Sequence, residues 1–280
     1  MASHHSSFII HQSSIFNLWR SLVFSTCIFV RRTPAMQTPK GSAENSCWVT
    51  LLTKPSYLPG AIILAHTLDI HGSKYPLMIQ YTSSLGREAI SALTEEADNY
   101  GRIQLQQVGL LQPREDQENK GRVAERFKDT FTKLRAFQVY TLGYTRAVFL
   151  DADMAVFQNP DEIFDIELPG RDWLAANHSC ACNLDHDPWA PADWQRGNCA
   201  YTLLNRPDEV AGRITTVSRP TYQLLNGGMF LFYPSEDLWN RMLHHFNTTE
   251  TLKDHQFPDQ DFWQSSIETS GVLCHGSSTL

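Results

Sequence analysis

The chain has 280 residues, of which 42% are hydrophobic, 11% aromatic and 19% charged. This composition excludes a disordered chain, a collagen-like repeat and a heptad coiled coil. The formal net charge of −7 gives no overall attraction for nucleic acid, and the sequence shows no local basic face, so we exclude a nucleic-acid partner. The length allows one large α/β domain or two smaller ones.

The six cysteines are too few and too irregularly spaced for a disulfide scaffold. Free cysteines are typical of a reducing compartment, so we expect a cytoplasmic protein. Residues 1–43 are basic and contain no aspartate or glutamate, which leaves two interpretations, a targeting or signal-anchor segment and an extension outside the fold. Asn17 and Arg20 interrupt the apolar stretch of this segment, so we predict no clear membrane span. We assign the domain to residues 44–263 and a divergent tail to 264–280.

The domain alternates short apolar runs with stretches of helical spacing. Apolar runs predict strands over residues 48–52, 75–81, 103–111 and 147–150. Apolar residues at helical spacing lie between them, within 59–72, 90–101 and 127–143, and each stretch ends at a glycine. Because strands that alternate with helices form βαβ units, we predict a single Rossmann-like α/β domain with a mainly parallel central sheet.

Two carboxylates follow the last predicted strand. Asp151 and Asp153 flank Ala152 directly after the run 147–150. Side chains two residues apart on an extended chain point the same way, and ligands bind at the carboxyl ends of parallel strands. Like charges this close repel unless a cation lies between them, and carboxylates suit Mg²⁺ or Mn²⁺. The alternative is a pair of acids in a turn or helix cap. The sequence contains no glycine-rich phosphate loop.

Two later clusters are also candidates for ligand binding. Asn226, Gly227 and Gly228 precede an apolar run that predicts a strand, and small residues there let a substrate approach the backbone. A hairpin turn is the alternative. Asp259 and Gln260 lie in a Phe-Pro-Asp-Gln-Asp segment, whose acids can orient sugar hydroxyls or stabilise positive charge on a carbon atom. A helix N-terminus capped by acids is the alternative for this segment.

Taken together, these motifs resemble glycosyltransferase family 8, the retaining group with a GT-A fold that includes glycogenin and galactinol synthase. The resemblance runs from about residue 48 to residue 263. It implies a nucleotide-diphospho-sugar transferase with a metal site at Asp151 and Asp153. It further implies catalytic roles for Lys133, Asp259 and Gln260, and donor binding by Leu51, Thr53, Tyr57, Lys133, Asp151, Ala152, Asp153, Asn226, Gly227 and Gly228.

The resemblance also implies the reaction. Glucose or galactose would move from a UDP-sugar to a carbohydrate, polyol or protein acceptor, with Mn²⁺ or Mg²⁺ bound by the paired acids. The metal ion would neutralise the leaving diphosphate, Lys133 would add positive charge, and Tyr57 would stack on the uracil base. Retention of configuration follows from the family rather than from residue spacing. A homodimer stays open.

The sequence departs from the family near its C-terminus. There the family has a third metal ligand, a histidine in a His-x-x-Gly-x-x-Lys-Pro-Trp segment, which this sequence lacks. His275 precedes Gly276 at a different spacing, so we do not assign it this role. We therefore expect a chain truncated relative to the family, with a catalytically inactive nucleotide-sugar-binding protein as the alternative function. A Mg²⁺-dependent nucleotidyl or phosphoryl transferase is a third possibility, disfavoured by the absent glycine loop.

A group of cysteines and histidines lies between these motifs. Cys180, Cys182 and Cys199 accompany His178 and His186. Structural zinc sites favour pairs of cysteines two to four residues apart, and a C-x-C with one distant cysteine matches that pattern poorly. We therefore predict an ordered loop over the acceptor side of the site rather than a zinc site.

Overall fold

The computed structural model describes residues 45–118, 127–205, 221 and 224–263, all of which belong to one compact unit of the chain. The predicted extension 1–43 and tail 264–280 lie outside the described residues. The strands are β1 (Ser46–Leu52), β2 (Leu77–Tyr81), β3 (Ile103–Gln107), β4 (Arg146–Leu150), β5 (Leu174–His178) and β6 (Leu225–Phe232). They form one sheet in the order β3-β2-β1-β4-β6-β5.

The helices include α1 (Leu58–Ile70), α2 (Arg87–Asn99), a long 3₁₀ helix (Thr130–Leu142), α3 (Ala200–Asn205) and α4 (Glu236–Thr248). The first three lie on the predicted stretches, whereas α3 and α4 were not predicted. The third predicted strand is shorter than expected and ends at Gln107, because its partner β2 ends at Tyr81, the residue paired with Gln107. No helix in the described part of the chain combines the length and apolar character that crossing a membrane requires.

The sheet is mainly parallel, as predicted. Strands β1 to β4 pair in parallel, whereas β6 is antiparallel to both β4 and β5. The chain runs outward from β1 to β3 and then returns to the other side of β1 as β4. Strands β1 and β4 therefore flank the point at which the strand order reverses. Ligands of open α/β sheets bind beyond the carboxyl ends of the strands at such a point.

Both faces of the central strands are buried. In β1, Cys47 and Val49 pack into one apolar cluster, and Trp48 and Leu52 pack into another on the opposite face. The first cluster includes residues of the 3₁₀ helix and α4, and the second includes residues of α1 and α2. Burial on both faces explains why these strands are continuous apolar runs without polar alternation.

The segment before β4 is a 3₁₀ helix rather than the amphipathic α-helix that the spacing suggested. Phe131, Leu134 and Phe137 are three residues apart, so they share one face of a helix with three residues per turn, and all three are buried. Leu142 falls off this face and is 49% exposed. Gly143 ends the helix with a φ of +87°, in the left-handed region that favours glycine.

Candidate active site

At the carboxyl end of β4, two carboxylates share one ammonium group. Lys133 Nζ lies 2.8 Å from Asp151 Oδ1 and 3.0 Å from Asp259 Oδ2. The same nitrogen donates a hydrogen bond of 3.3 Å to the backbone carbonyl of Gly227. Lys133 belongs to the 3₁₀ helix, Asp151 follows β4, and Asp259 lies in a helical segment over 258–263. The structure therefore brings together three predicted site residues that are far apart in the chain.

The electrostatics of this cluster favour a charged lysine. Burial by itself lowers the pKa of Lys133, but the charges of Asp151 and Asp259 outweigh burial and raise that pKa above its ordinary value. Burial raises the pKa of Asp151; Lys133 opposes this rise, and the charges of Asp259 and Asp153 add to it. Three acidic side chains, those of Asp151, Asp153 and Asp259, are thus set against one ammonium group.

Two glycines of β6 leave room for these side chains. A Cβ at Gly227 would lie 2.4 Å from Asp259 Oδ2, and a Cβ at Gly228 would lie 3.0 Å from Asp151 Oδ2. Asn226 Oδ1 accepts a 2.7 Å hydrogen bond from the backbone N–H of Gly228, which holds the amide beside the glycine pair. Any side chain larger than hydrogen at Gly227 would displace the buried carboxylate.

The Asn-Gly-Gly element lies inside β6, so the prediction that it precedes the strand is wrong, and it does not form a hairpin turn. Its position follows from strand pairing. Strand β6 runs antiparallel to β4 with Met229 opposite Leu150. The backbone N–H of Asp151 donates a 2.8 Å hydrogen bond to the carbonyl of Gly228. Pairing with β4 thus keeps these small residues extended and places them next to the first carboxylate.

The paired acids lie in a turn after β4, not on the strand itself. The period-two argument for their direction therefore does not apply to them. The side chain of Asp151 is 33% exposed, and Asp153 is exposed. Gly60 of α1 packs closely against the turn, since a Cβ there would lie 2.4 Å from the backbone oxygen of Ala152. Ala152 itself is buried, so the start of α1 supports the turn that carries both acids.

The predicted base-binding residues lie around the end of β1. Leu51 packs against the apolar cluster that contains residues of the 3₁₀ helix. The carbonyl of Thr53 accepts a 2.9 Å hydrogen bond from Ser84 Oγ. Tyr57 is half-buried in a short 3₁₀ helix, Pro55–Tyr57, which leads into α1. Because β1 and β4 are neighbouring parallel strands, these residues share an edge of the sheet with the carboxylates.

The two acids of the 258–263 segment make different contacts. Asp261 Oδ2 accepts hydrogen bonds from the backbone N–H groups of Gln256 and Phe257, at 2.7 and 3.0 Å, and so caps the helical segment. The capping alternative therefore applies to Asp261. Asp259 is only 3% exposed and pairs with Lys133 instead.

Gln260 is held by a different contact. Ser179 Oγ donates hydrogen bonds to Gln260 Oε1 at 3.2 Å and to the backbone carbonyl of Leu225 at 2.8 Å. The loop that begins at Ser179 also packs on this segment, with the ring of Trp194 stacked on that of Phe257 at 4.9 Å. A loop is present here as predicted, and it contacts the segment that carries Asp259 and Gln260; its position over the acceptor side stays a prediction.

The acids fit a divalent cation. Carboxylate oxygens are the ligands that Mg²⁺ and Mn²⁺ prefer, and the excess of acidic side chains suits a dication. Lys133 occupies Asp151 Oδ1, which leaves Asp151 Oδ2 and the carboxylate of Asp153 for a metal ion. Within the described residues, three ligand atoms lie within 4.8 Å of one another only at a group of cysteines. The described residues therefore place no third His, Cys, Asp or Glu ligand atom in such a group with Asp151 and Asp153.

The sequence interpretation missed two residues that support the site. Gly60 lies in the first turn of α1. A glycine inside a helix lowers its stability, so its presence there indicates that another part of the backbone packs closely against it. Ser179 has no local signal beyond its position before the cysteine pair, because its partners Gln260 and Leu225 are distant in sequence.

Comparison with known proteins gives three findings. Residues 48–267 match the model of a protein family described as glycosyl transferase family 8. Galactinol synthase 1 of Solanum lycopersicum is 28% identical over 221 residues, which are 78% of this chain and 59% of that protein. Glycogenin-1 of Caenorhabditis elegans is 30% identical over 122 residues, 43% of this chain and 26% of that protein.

The solved structure of the galactosyltransferase LgtC, in complex with donor and acceptor sugar analogs, aligns with a TM-score of 0.50 at 16% identity, over 82% of this chain and 73% of that one. This similarity concerns the fold, which is the GT-A fold that the resemblance implied. The chain spans about 59% of the length of the first curated relative it matches. The family match covers most of the chain, and the protein belongs to glycosyl transferase family 8.

Proposed function

We propose that this chain transfers glucose or galactose from a UDP-sugar to an acceptor, with retention of configuration. One observation carries the proposal: Lys133 Nζ lies between Asp151 and Asp259, at 2.8 and 3.0 Å, beyond the carboxyl end of β4. This arrangement places an ammonium group that can stabilise a leaving diphosphate next to a buried carboxylate that can stabilise the sugar. Both lie at the edge of the sheet where open α/β proteins bind ligands. Family membership supports the same chemistry.

The donor would lie along the ends of β1, β4 and β6. Leu51, Thr53 and Tyr57 would hold the nucleoside, with Tyr57 stacked on the base. The small residues of β6 would let the sugar approach the backbone, because a side chain there would collide with the carboxylates. The remaining donor contacts in the proposal are those of Ala152, Asn226, Gly227 and Gly228.

Asp151 and Asp153 would hold a divalent ion, Mn²⁺ or Mg²⁺. When bound, the ion supplies a Lewis acid that neutralises charge on the departing diphosphate. The ion pair with Lys133 at 2.8 Å orients Asp151 from one side and leaves its second oxygen free. The family leaves the nucleotidyl or phosphoryl transferase alternative without support.

The buried ion pair would contribute directly to the reaction. Lys133 carries a positive charge that stabilises the developing negative charge of the leaving group. Asp259 lies nearly out of solvent, where a fixed charge acts more strongly than in water, and would stabilise positive charge on the anomeric carbon. Gln260, fixed by Ser179, would position the donor sugar or the acceptor.

UDP release tests this proposal. We would incubate the chain with UDP-glucose or UDP-galactose, with Mn²⁺ or with EDTA, and with water, free sugars or polyols as acceptors. Wild-type release should require the metal and be lost in Asp153→Asn. Asp98→Asn is the matched control, because Asp98 is exposed on α2 and should leave the rate unchanged. The anomeric configuration of the product, measured by NMR, tests retention.

The same experiment tests the alternative function, an inactive nucleotide-sugar-binding protein. Binding of UDP without turnover under any of these conditions would favour the inactive nucleotide-sugar-binding protein. Turnover that is independent of metal, or unaffected in Asp153→Asn, would contradict the assigned metal ligands. The class of acceptor, the cytoplasmic location and a homodimer stay predictions.

A further inference from the structure

Three cysteines meet outside the candidate active site. Cys180 and Cys182 follow β5, and Cys199 directly precedes α3. Their Sγ atoms all lie within 4.8 Å of one another, and all three are free thiols. Cys199 is distant from the C-x-C pair in sequence, and the loop between them brings its sulfur atom next to theirs.

The spacing of the three sulfur atoms fits a tetrahedral metal site. Zinc–sulfur bonds are about 2.3 Å long, so two thiolates on one tetrahedral zinc ion are roughly 3.8 Å apart. The three sulfur atoms lie within 4.8 Å of one another, which is compatible with that separation. A disulfide needs a sulfur–sulfur distance of about 2.05 Å and would use only two of the three thiols.

The backbone around the cluster points hydrogen-bond donors at the sulfur atoms. The amides of Ala181 and Tyr201 donate to Cys199, and the amide of Cys182 donates to Cys180. Hydrogen bonds of this kind favour the thiolate form and orient metal ligands.

The cluster has access to solvent on one side only. Cys199 is buried, Cys182 is half-buried and Cys180 is exposed. An ion could therefore enter past Cys180 and be held from the interior by Cys199. A solvent molecule completes the coordination where a zinc ion has three protein ligands.

We propose that Cys180, Cys182 and Cys199 bind a zinc ion that fixes the loop between β5 and α3. The loop begins at Ser179, whose hydroxyl bonds to Gln260 in the candidate active site at 3.2 Å. Zinc binding would thus order a loop that rests on the segment carrying the buried carboxylate. This site is separate from the two acids proposed to hold the divalent ion of sugar transfer, and its soft ligands select a different metal.

Zinc content measures the proposal directly. The chain is purified under reducing conditions, freed of metal, reloaded with Zn²⁺ and analysed by elemental mass spectrometry. We expect one zinc ion per wild-type chain and loss of most of it in Cys182→Ser and Cys199→Ser. Cys47→Ala is the matched control, because it removes a buried thiol of β1 and should retain the zinc. Replacement by Co²⁺ should give thiolate charge-transfer absorption in the wild type.

A second measurement does not depend on the folding of any variant. Alkylation of the wild-type chain, followed by peptide mass mapping, should show the three thiols protected by Zn²⁺ and exposed by a chelator. Absence of bound zinc in the reduced wild type, or equal zinc content in Cys182→Ser, would overturn the proposal. Equal alkylation with and without Zn²⁺, or formation of a disulfide in place of metal binding, would also overturn the proposal.

Discussion

Replacing Lys133 by methionine removes the ammonium that two carboxylates share and keeps a side chain of similar length. The change leaves Asp259, which is 3% exposed, beside Asp151 without its counter-charge. Breaking a buried ion pair from one side costs about 3–5 kcal/mol. Because the side chain of Asp151 is 33% exposed, most of the penalty arises at Asp259. We therefore expect a loss of about 3 kcal/mol in the free energy of unfolding at pH 7.

Between pH 5 and pH 7, the stability of this variant should depend on pH more strongly than that of the wild type. In the wild type the folded-state pKa of Lys133 is raised. The ion pair therefore contributes fully below the unfolded pKa of lysine, about 10.4, and its contribution is lost as the pH rises through the folded pKa. In the variant the pKa of Asp151, raised already, rises further because Lys133 no longer opposes the effect of burial. The folded state then takes up a proton on acidification, so the deficit in stability should shrink from pH 7 towards pH 5.

Urea denaturation followed by circular dichroism at pH 7 and pH 5 measures both effects. Lys253→Met removes an exposed lysine and should change stability by less than about 0.5 kcal/mol. The double variant Lys133→Met with Asp259→Asn removes both buried charges and should recover part of the loss. A loss below about 1 kcal/mol for Lys133→Met, or no recovery in the double variant, would refute the assignment of a tightly coupled buried pair.

Three further substitutions test close contacts. In Gly60→Ala and Gly227→Ala the new Cβ would lie 2.4 Å from a neighbouring oxygen, so each should lose about 1–3 kcal/mol of stability and most of the metal-dependent UDP release. Gly101→Ala is the control, because a Cβ at this position meets nothing within 4 Å. Equal activity in Gly60→Ala, Gly227→Ala and Gly101→Ala would contradict the packing argument. Ser73→Ala removes the hydroxyl that accepts a 2.8 Å hydrogen bond from the buried Trp48 Nε1–H. Thermal denaturation should show a loss of about 1–3 kcal/mol in the free energy of unfolding. An unchanged Tm would mean that the indole finds another acceptor.

The parallel part of the sheet could be predicted because its strands are buried on both faces and appear as continuous apolar runs. The strand β5 was not predicted, since Leu174–His178 contains two alanines and an asparagine, which have low strand propensity. Pairing with β6 overrides that propensity. Helix α4 was also missed, although Ser235 caps its start and accepts a 3.2 Å hydrogen bond from the N–H of Leu238.

The site could be predicted in part from position and in part only from resemblance. Asp151 and Asp153 follow a buried strand, and that position alone pointed to a ligand. Nothing local distinguishes Lys133, and the segment around Asp259 was equally open to a capping role, because the contact between Lys133 and Asp259 joins residues far apart in sequence. The cysteine cluster was not predicted for the same reason, since Cys199 is far from Cys180 and Cys182 in sequence and lies beside them only in the folded chain.

The pairing of β6 beside β4 has a consequence for how relatives can diverge. The chain leaves β4 at Asp151 and comes back beside it in β6, where the carbonyl of Gly228 accepts a 2.8 Å hydrogen bond from the amide N–H of that same aspartate. The one long stretch between β5 and β6 starts at Ser179 and ends at Leu224, and the backbone N–H of Ser179 donates a 2.8 Å hydrogen bond to the carbonyl of Leu224. Lengthening, shortening or exchanging this stretch alters what stands beside the pocket without moving the groups beneath. Under the proposed function, exchange of this stretch between relatives would change the surroundings of the acceptor and leave the proposed donor residues in place.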